Sequence, residues 1–159
     1  MIQIRHARLT DINRLVEIEN SCFDKAKYGS LISARQFGLL LRKKSSAVLV
    51  AIAEDEIAGY AALRFVFRGG LTWFYSLAVA RRYQGKGVGV QIFRSAEVEA
   101  QRMCCPCMIL DVREDNKALL WRYSRYGYSI MEKNQSYYPD GSSSFRMSKR
   151  LTDKIDTSK

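Results

Sequence analysis

Three glycines in five residues, Gly85, Gly87 and Gly89, stand with Gln84, Lys86 and Val88 in one short run, Gln84 to Gly89. Glycine removes the Cβ and opens positive φ, so such a turn lets main-chain N–H groups approach a phosphate. Behind it Val88, Ile92, Ala96, Ala100 and Met103 recur at helical spacing, and the extended run Leu71 to Val79 precedes it. The turn therefore opens a helix, where unpaired N–H groups and the positive dipole end favour an anion, with Arg81, Arg82 and Lys86 adding charge. A Walker loop is excluded, because Gly87 follows Lys86 where Ser or Thr is required. A dinucleotide fingerprint needs a glycine at 90, where Val90 stands, although Asp111 ends the next strand as that motif wants. A helix start that only turns the chain is the plain alternative.

Downstream, Asp111, Asn116 and Tyr123 bear groups that could accept a proton, hold a ligand by hydrogen bonds and donate a proton. Each has an ordinary reading beside the chemical one. Tyr123, Tyr126 and Tyr128 could be core or surface aromatics, and Asp111 could pair with a neighbour such as Arg113. His6, the only histidine, falls on the first strand and reads as solvated or packed. Cys104, Cys105 and Cys107 crowd together with Cys22 far off, without a fourth ligand at zinc spacing. They read as a helix-to-strand corner with reduced thiols, not a metal site.

The elements that position these residues follow from periodicity and punctuation. Ile2 and Ile4 alternate with polar neighbours as a strand, and Thr10 or Asp11 can cap a helix carrying Ile12, Leu15, Val16, Glu19 and Phe23. Ser33 with Gln36 forms a capping box for a helix bearing Phe37, Leu40 and Leu41. Ala47 to Ala53, Ile57 to Phe67 and Leu71 to Val79 read as an antiparallel meander broken at Glu54 to Glu56 and at Gly69-Gly70. Pro106 ends the glycine-turn helix, Cys107 to Val112 is a strand reached by a crossover and so parallel to its neighbour, and Asn116 to Tyr126 is a helix. Tyr128 to Tyr137 and Ser144 to Leu151 are strands joined by the turn Tyr138-Pro139-Asp140-Gly141.

The 159 residues suit one domain, spanning 1–151, with a polar tail at 152–159. An apolar fraction of 47% supplies a packed core. No run approaches the roughly 18 apolar residues of a membrane helix, and Met1 to Arg8 lacks a signal-peptide core, so the cytoplasm is expected. The formal charge of +10 attracts polyanions, but the basic residues are scattered from Arg5 to Lys159 without a block longer than three, which argues against direct nucleic-acid binding as the main role.

Gln84-x-x-Gly87-x-Gly89 resembles the coenzyme A pyrophosphate loop of the GNAT superfamily of N-acetyltransferases, in its usual place between strand and helix. The likeness runs from the strand at Ile2 to the strand ending near Arg150. Leu77-Ala78-Val79, Asp111-Val112-Arg113 with Asn116, Tyr123 to Tyr128 and Tyr137 to Gly141 look like parts of the RimI-type ribosomal-protein and peptide N-acetyltransferases. That resemblance implies an α+β GNAT fold, with a mixed, mostly antiparallel sheet of about six to seven strands and about four helices. It implies acetyl-CoA as co-substrate, no metal, and an amine acceptor, a protein or peptide N-terminus first, attacked directly in a ternary complex. Leu77, Ala78 and Val79 would present backbone N–H groups to the acetyl carbonyl and pantetheine arm. Gln84, Gly85, Lys86, Gly87, Val88, Gly89 and Val90 would wrap the pyrophosphate, with Asn116 along the pantetheine. Tyr123 would protonate the thiolate, and Asp111 stands where RimI-type enzymes carry a glutamate base, one methylene shorter. Other members carry a glutamate on the strand of Tyr75 and Ser76. The alternatives are a small-molecule amine acetyltransferase, a non-catalytic CoA sensor and a basic nucleic-acid module; a homodimer is compatible with each.

Overall fold

The computed structural model describes residues 1–152; the tail expected at 152–159 lies outside the described residues apart from Thr152. The strands are β1 (Gln3–His6), β2 (Ser46–Ala53), β3 (Glu56–Val66), β4 (Leu71–Val79), β5 (Cys107–Arg113), β6 (Ser129–Asn134) and β7 (Ser144–Arg150). The helices are α1 (Ile12–Cys22), α2 (Lys25–Tyr28), α3 (Ala34–Arg42), α4 (Val88–Arg102) and α5 (Lys117–Arg125). One seven-stranded sheet in the order β1-β2-β3-β4-β5-β7-β6 carries them, antiparallel except between β4 and β5. This is the α+β architecture expected of the chain.

Tyr60 on β3 meets Phe37 of α3 edge-on at 5.3 Å between centroids, whereas a Cβ on Gly59 would come 3.0 Å from Ile92 of α4. Consecutive strand residues point to opposite faces, so α1 and α3 cover one face and α4 the other. The packed core fills both layers, from Leu15, Ile18 and Phe37 on one side to Ile92, Phe93 and Ala96 on the other.

Strand β4 is irregular in two places. Ala62 pairs with Ser76 but Leu63 pairs with Phe74, so Tyr75 is an extra residue in the ladder. Phe74 packs on Phe93 of α4, while Ser76, two residues on, meets Glu19 of α1. An unbroken strand would aim both side chains at one face, and the bulge reverses the second. The parallel pairing of β4 with β5 covers only Leu71 to Trp73 against Cys107 to Ile109, after which the strands part.

Local structure departs from the sequence reading at three points. Residues Lys25–Tyr28 form a short helix that periodicity over four residues cannot announce, capped by Asp24, whose carboxylate accepts from the Ala26 N–H at 2.9 Å. Asp11 does not cap α1 with its side chain; it accepts from the Arg8 N–H and from Arg5, both at 2.7 Å, and holds the 3-10 turn Leu9–Asp11 instead. Strand β6 stops at Asn134 and not at Tyr137, because Ser136 turns to φ +51° and leaves a longer loop before β7. The capping box of Ser33 and Gln36 forms as expected, with contacts of 3.2 and 2.9 Å.

Candidate active site

The parted strands open a cleft of about 750 Å³ bordered by Glu19, Ser76, Leu77, Asp111, Asn116 and Tyr123, among others. Its floor comes from backbone. Ala80 N–H donates to the Ala58 carbonyl at 2.8 Å, and alternation along an antiparallel strand then turns the Ala78 N–H into the β3 ladder. The N–H groups of Leu77 and Val79 face the other way, toward the gap left by β5. Of the three β4 residues singled out in the sequence, Leu77 borders the cleft, and Val79 turns the same way just beyond it, beside Gln84.

The glycine turn lies at the end of the same strand. Gly85 and Gly87 take φ of +77° and +83°, values that L side chains rarely adopt, and Gly87 is the N-cap of α4. The first helical bond is donated by Gln91 to the Gly87 carbonyl at 3.2 Å, which leaves the N–H groups of Val88, Gly89 and Val90 without helical acceptors. A Cβ at Gly85 or Gly87 would meet nothing within 4 Å, so the backbone there is bare and accessible. That surface fits an anion such as a pyrophosphate. Gln84 fastens the turn to the strand, its Nε2 donating to the Val79 carbonyl at 2.9 Å. Val88 is buried and contributes only main chain to the turn.

The cations expected around the turn are disposed differently from the sequence reading. Arg82 binds Glu54 at 2.6 Å and Glu56 at 3.1 Å, tying the turn to the β2–β3 hairpin. Arg81 donates to the Ser21 carbonyl at 3.0 Å. Lys86, with no carboxylate partner among the described residues, sits 6.0 Å from the Tyr83 ring.

Tyr123 enters from α5, its ring 5.2 Å from Phe93 between centroids. Its hydroxyl makes no hydrogen bond among the described residues, yet no fully buried polar atom in them lacks a partner, so the hydroxyl reaches the cleft. Burial pushes the phenol up to about 12, which keeps its proton in place near neutral pH. Asn116 caps α5, its Oδ1 accepting from the Leu119 N–H at 3.2 Å, and its side chain borders the cleft.

Asp111 borders the cleft too, and both its oxygens accept hydrogen bonds from the protein. Arg146 Nε donates to Oδ1 at 2.9 Å, Arg146 Nη2 donates to Oδ2 at 3.2 Å, and the Tyr137 hydroxyl donates to Oδ2 at 3.3 Å. The guanidinium of Arg146 also stacks on Trp73 at 4.7 Å. The partner of Asp111 is thus Arg146, directly across the β5–β7 pair, and not Arg113. Arg113 is buried and binds Asp115 at 3.1 Å, Asp140 at 2.7 Å and the Lys27 carbonyl at 3.0 Å, between the rings of Tyr28 and Tyr138.

The sequence reading passed over Glu19 as a site residue. It is 4% exposed, and its carboxylate accepts from the Tyr60 hydroxyl, from the Ile32 N–H at 2.8 Å and from Ser76 Oγ at 3.3 Å. The available signal was a carboxylate on the apolar stripe of α1. His6 lies outside the cleft, 3.6 Å from Glu99. The four cysteines are free thiols, and no three His, Cys, Asp or Glu side chains among the described residues converge as a metal site.

A model of the acetyltransferase (GNAT) family matches residues 12–128. A candidate ribosomal protein bS18-alanine N-acetyltransferase of Bacillus subtilis is 26% identical over 137 residues, 86% of this chain and 87% of that protein. An N-alpha-acetyltransferase of Sulfurisphaera tokodaii is 24% identical over 164 residues, covering 94% and 93%. The crystal structure of the ribosomal-protein-S18-alanine N-acetyltransferase from Escherichia coli superposes with a TM-score of 0.82 at 19% identity, covering 99% of this chain and 98% of that one.

Proposed function

We propose that this chain, which belongs to the acetyltransferase (GNAT) family and is an acyltransferase, takes its acyl group from acetyl-CoA and delivers it to a primary amine of a peptide or protein. The observation that carries this reading is the parting of β4 from β5, which leaves main-chain donors on one edge and opens a cleft to both faces of the sheet. Bound acetyl-CoA supplies an activated acyl carbon and a thiolate leaving group.

The chain's own groups bind, orient and move protons. The N–H groups from Gly85 to Val90 hold the pyrophosphate at the start of α4, with Lys86 as the local cation and Gln84 bracing the turn. Leu77 and Val79 direct N–H groups at the acyl oxygen and the pantetheine arm, a fixed dipole that needs no reorganisation as charge develops. Asn116 lies along the same arm. Tyr123 gives its proton to the departing sulfur, a role suited to a phenol that burial keeps protonated.

A peptide acceptor suits the opposite wall. Tyr28, Tyr137 and Tyr138 line the cleft there, and aromatic side chains supply contact area with a polar tip. The Bacillus subtilis and Sulfurisphaera tokodaii relatives act, by their names, on an alanine of a ribosomal protein and on α-amines, which favours a chain terminus over a free metabolite. A survey of acceptors with labelled acetyl-CoA tests this. Transfer to peptide N-termini is expected, and a strict preference for polyamines or aminoglycosides would contradict it.

A further inference from the structure

Two carboxylates border the cleft on the acceptor side, and they differ in what surrounds them. Asp111 is held by a two-pronged contact with Arg146, so taking up a substrate proton there would cost that ion pair. Glu19 is the more deeply buried, yet no Lys, Arg or His among the described residues pairs with it; its partners are neutral donors. Burying a carboxylate without a countercharge is costly, and an amide could meet a purely structural need. Tyr60, held in its protonated form by burial and by the adjacent Glu19, can only donate to it.

Ser76 connects this carboxylate to the cleft. Its Oγ lies 3.3 Å from Glu19 Oε1 and 3.2 Å from the Tyr60 hydroxyl, and the bulge at Tyr75 is what aims it at the α1 face. The next residue along β4 is Leu77, whose N–H faces the gap where the acyl oxygen is to be held. Ser76 and Leu77 thus address one reaction centre from consecutive positions, with Tyr123 on the far wall.

Resting on the acetyl-transfer reading, we propose that Ser76 contacts the acceptor amine and passes its proton to Glu19. As the nitrogen–carbon bond forms, the amine proton moves to Ser76 Oγ while the Ser76 hydroxyl proton moves to Glu19 Oε1. The carbon–sulfur bond breaks, and the sulfur takes its proton from Tyr123. Glu19 ends protonated and Tyr123 ends as phenolate, and exchange with water returns both to their starting state. Glu19 acts through Ser76 and positions it, so the pair operates as a unit.

The test compares Glu19→Gln, Ser76→Ala and Asp111→Asn with the wild type on a peptide acceptor, with melting temperature and its rise on adding acetyl-CoA as readouts independent of turnover. Glu19→Gln is expected to lower kcat about 100-fold, the scale of general-base assistance, with the acetyl-CoA-induced melting shift retained. Ser76→Ala is expected to cost about 100-fold as well, because Glu19 acts only through it, and it leaves Glu19 its contacts to Tyr60 and Ile32 if Glu19→Gln fails to fold. In both variants the rate should become more dependent on alkaline pH, and hydroxylamine, neutral at neutral pH, should recover more of the lost rate than a peptide amine does. Variants within twofold of wild type, or a 100-fold loss confined to Asp111→Asn, would overturn the relay. If the wild type itself acetylates no amine, the proposed function falls first, and the two failures are told apart by that control.

Discussion

A phenol that ionises only near pH 12 is a reservoir of one proton throughout the range in which a peptide amine is reactive. Tyr123→Phe keeps the ring against Phe93 and removes only that proton. It should lower kcat by about 100-fold while the dissociation constant of acetyl-CoA stays unchanged, which single-turnover kinetics and calorimetry together would read. Because the folded value lies above that of a free tyrosine, the neutral phenol contributes stability below about pH 10, and this is lost as pH climbs toward 12. At the glycine turn the predicted effect is conformational. Gly87→Ala meets no steric obstacle but must hold φ at +83°, so it should weaken acetyl-CoA binding more than it lowers melting temperature.

The elements set the cleft through two devices, one rigid and one ionic. Gly59 on β3 lets α4 press onto the sheet and β4 lie close beside it, for a Cβ there would come 3.0 Å from Ile92 of α4 and 2.8 Å from the Ala78 carbonyl oxygen of β4. Gly59→Ala should therefore cost about 2 kcal/mol as overpacking and displace the very strand whose N–H groups face the gap, lowering both melting temperature and turnover. The ionic device is Arg113, which joins the end of β5 to α2 and to the β6–β7 loop. Its guanidinium holds the Asp140 carboxyl down at about 2, so the contact contributes stability above about pH 4, which is lost as pH falls through 2. Asp140→Asn should melt earlier than wild type at neutral pH, with the gap closing as pH falls toward 2. Much of this frame was legible in advance. The order of elements, the capping box at Ser33 and the helix behind Gly87 rest on local periodicity and punctuation, which the residues themselves carry. What escaped was made by tertiary contact. The bulge at Tyr75 depends on how β3 and β4 pair, the ion pair of Asp111 with Arg146 on the register of β5 against β7, and the burial of Glu19 on where α1 meets Tyr60. No spacing in one chain announces those partners.

At the scale of the whole molecule, two of the 26 basic residues behind the +10 charge border one groove together. Beside the cleft, and sharing Arg64, Trp73 and Tyr75 with it, a second groove of about 380 Å³ runs between α3 and the sheet, bordered by Lys43 and Arg64 and by no carboxylate. Arg64 stacks on Tyr75 at 4.8 Å and pairs with no acid among the described residues. Peptides with Asp or Glu a few residues from the amine should show higher kcat/KM than basic ones, and the difference should shrink as salt rises. Among the described residues, no helix is long and apolar enough to cross a membrane.

The most direct test is intact-mass analysis of an N-terminally free peptide incubated with acetyl-CoA and either wild type or Tyr123→Phe. One acetyl group on the peptide N-terminus with wild type, and a rate reduced about 100-fold with the variant, is the expected result. Contradiction would be a wild-type protein whose melting temperature rises with acetyl-CoA but which transfers nothing to any peptide, or turnover that Tyr123→Phe leaves untouched.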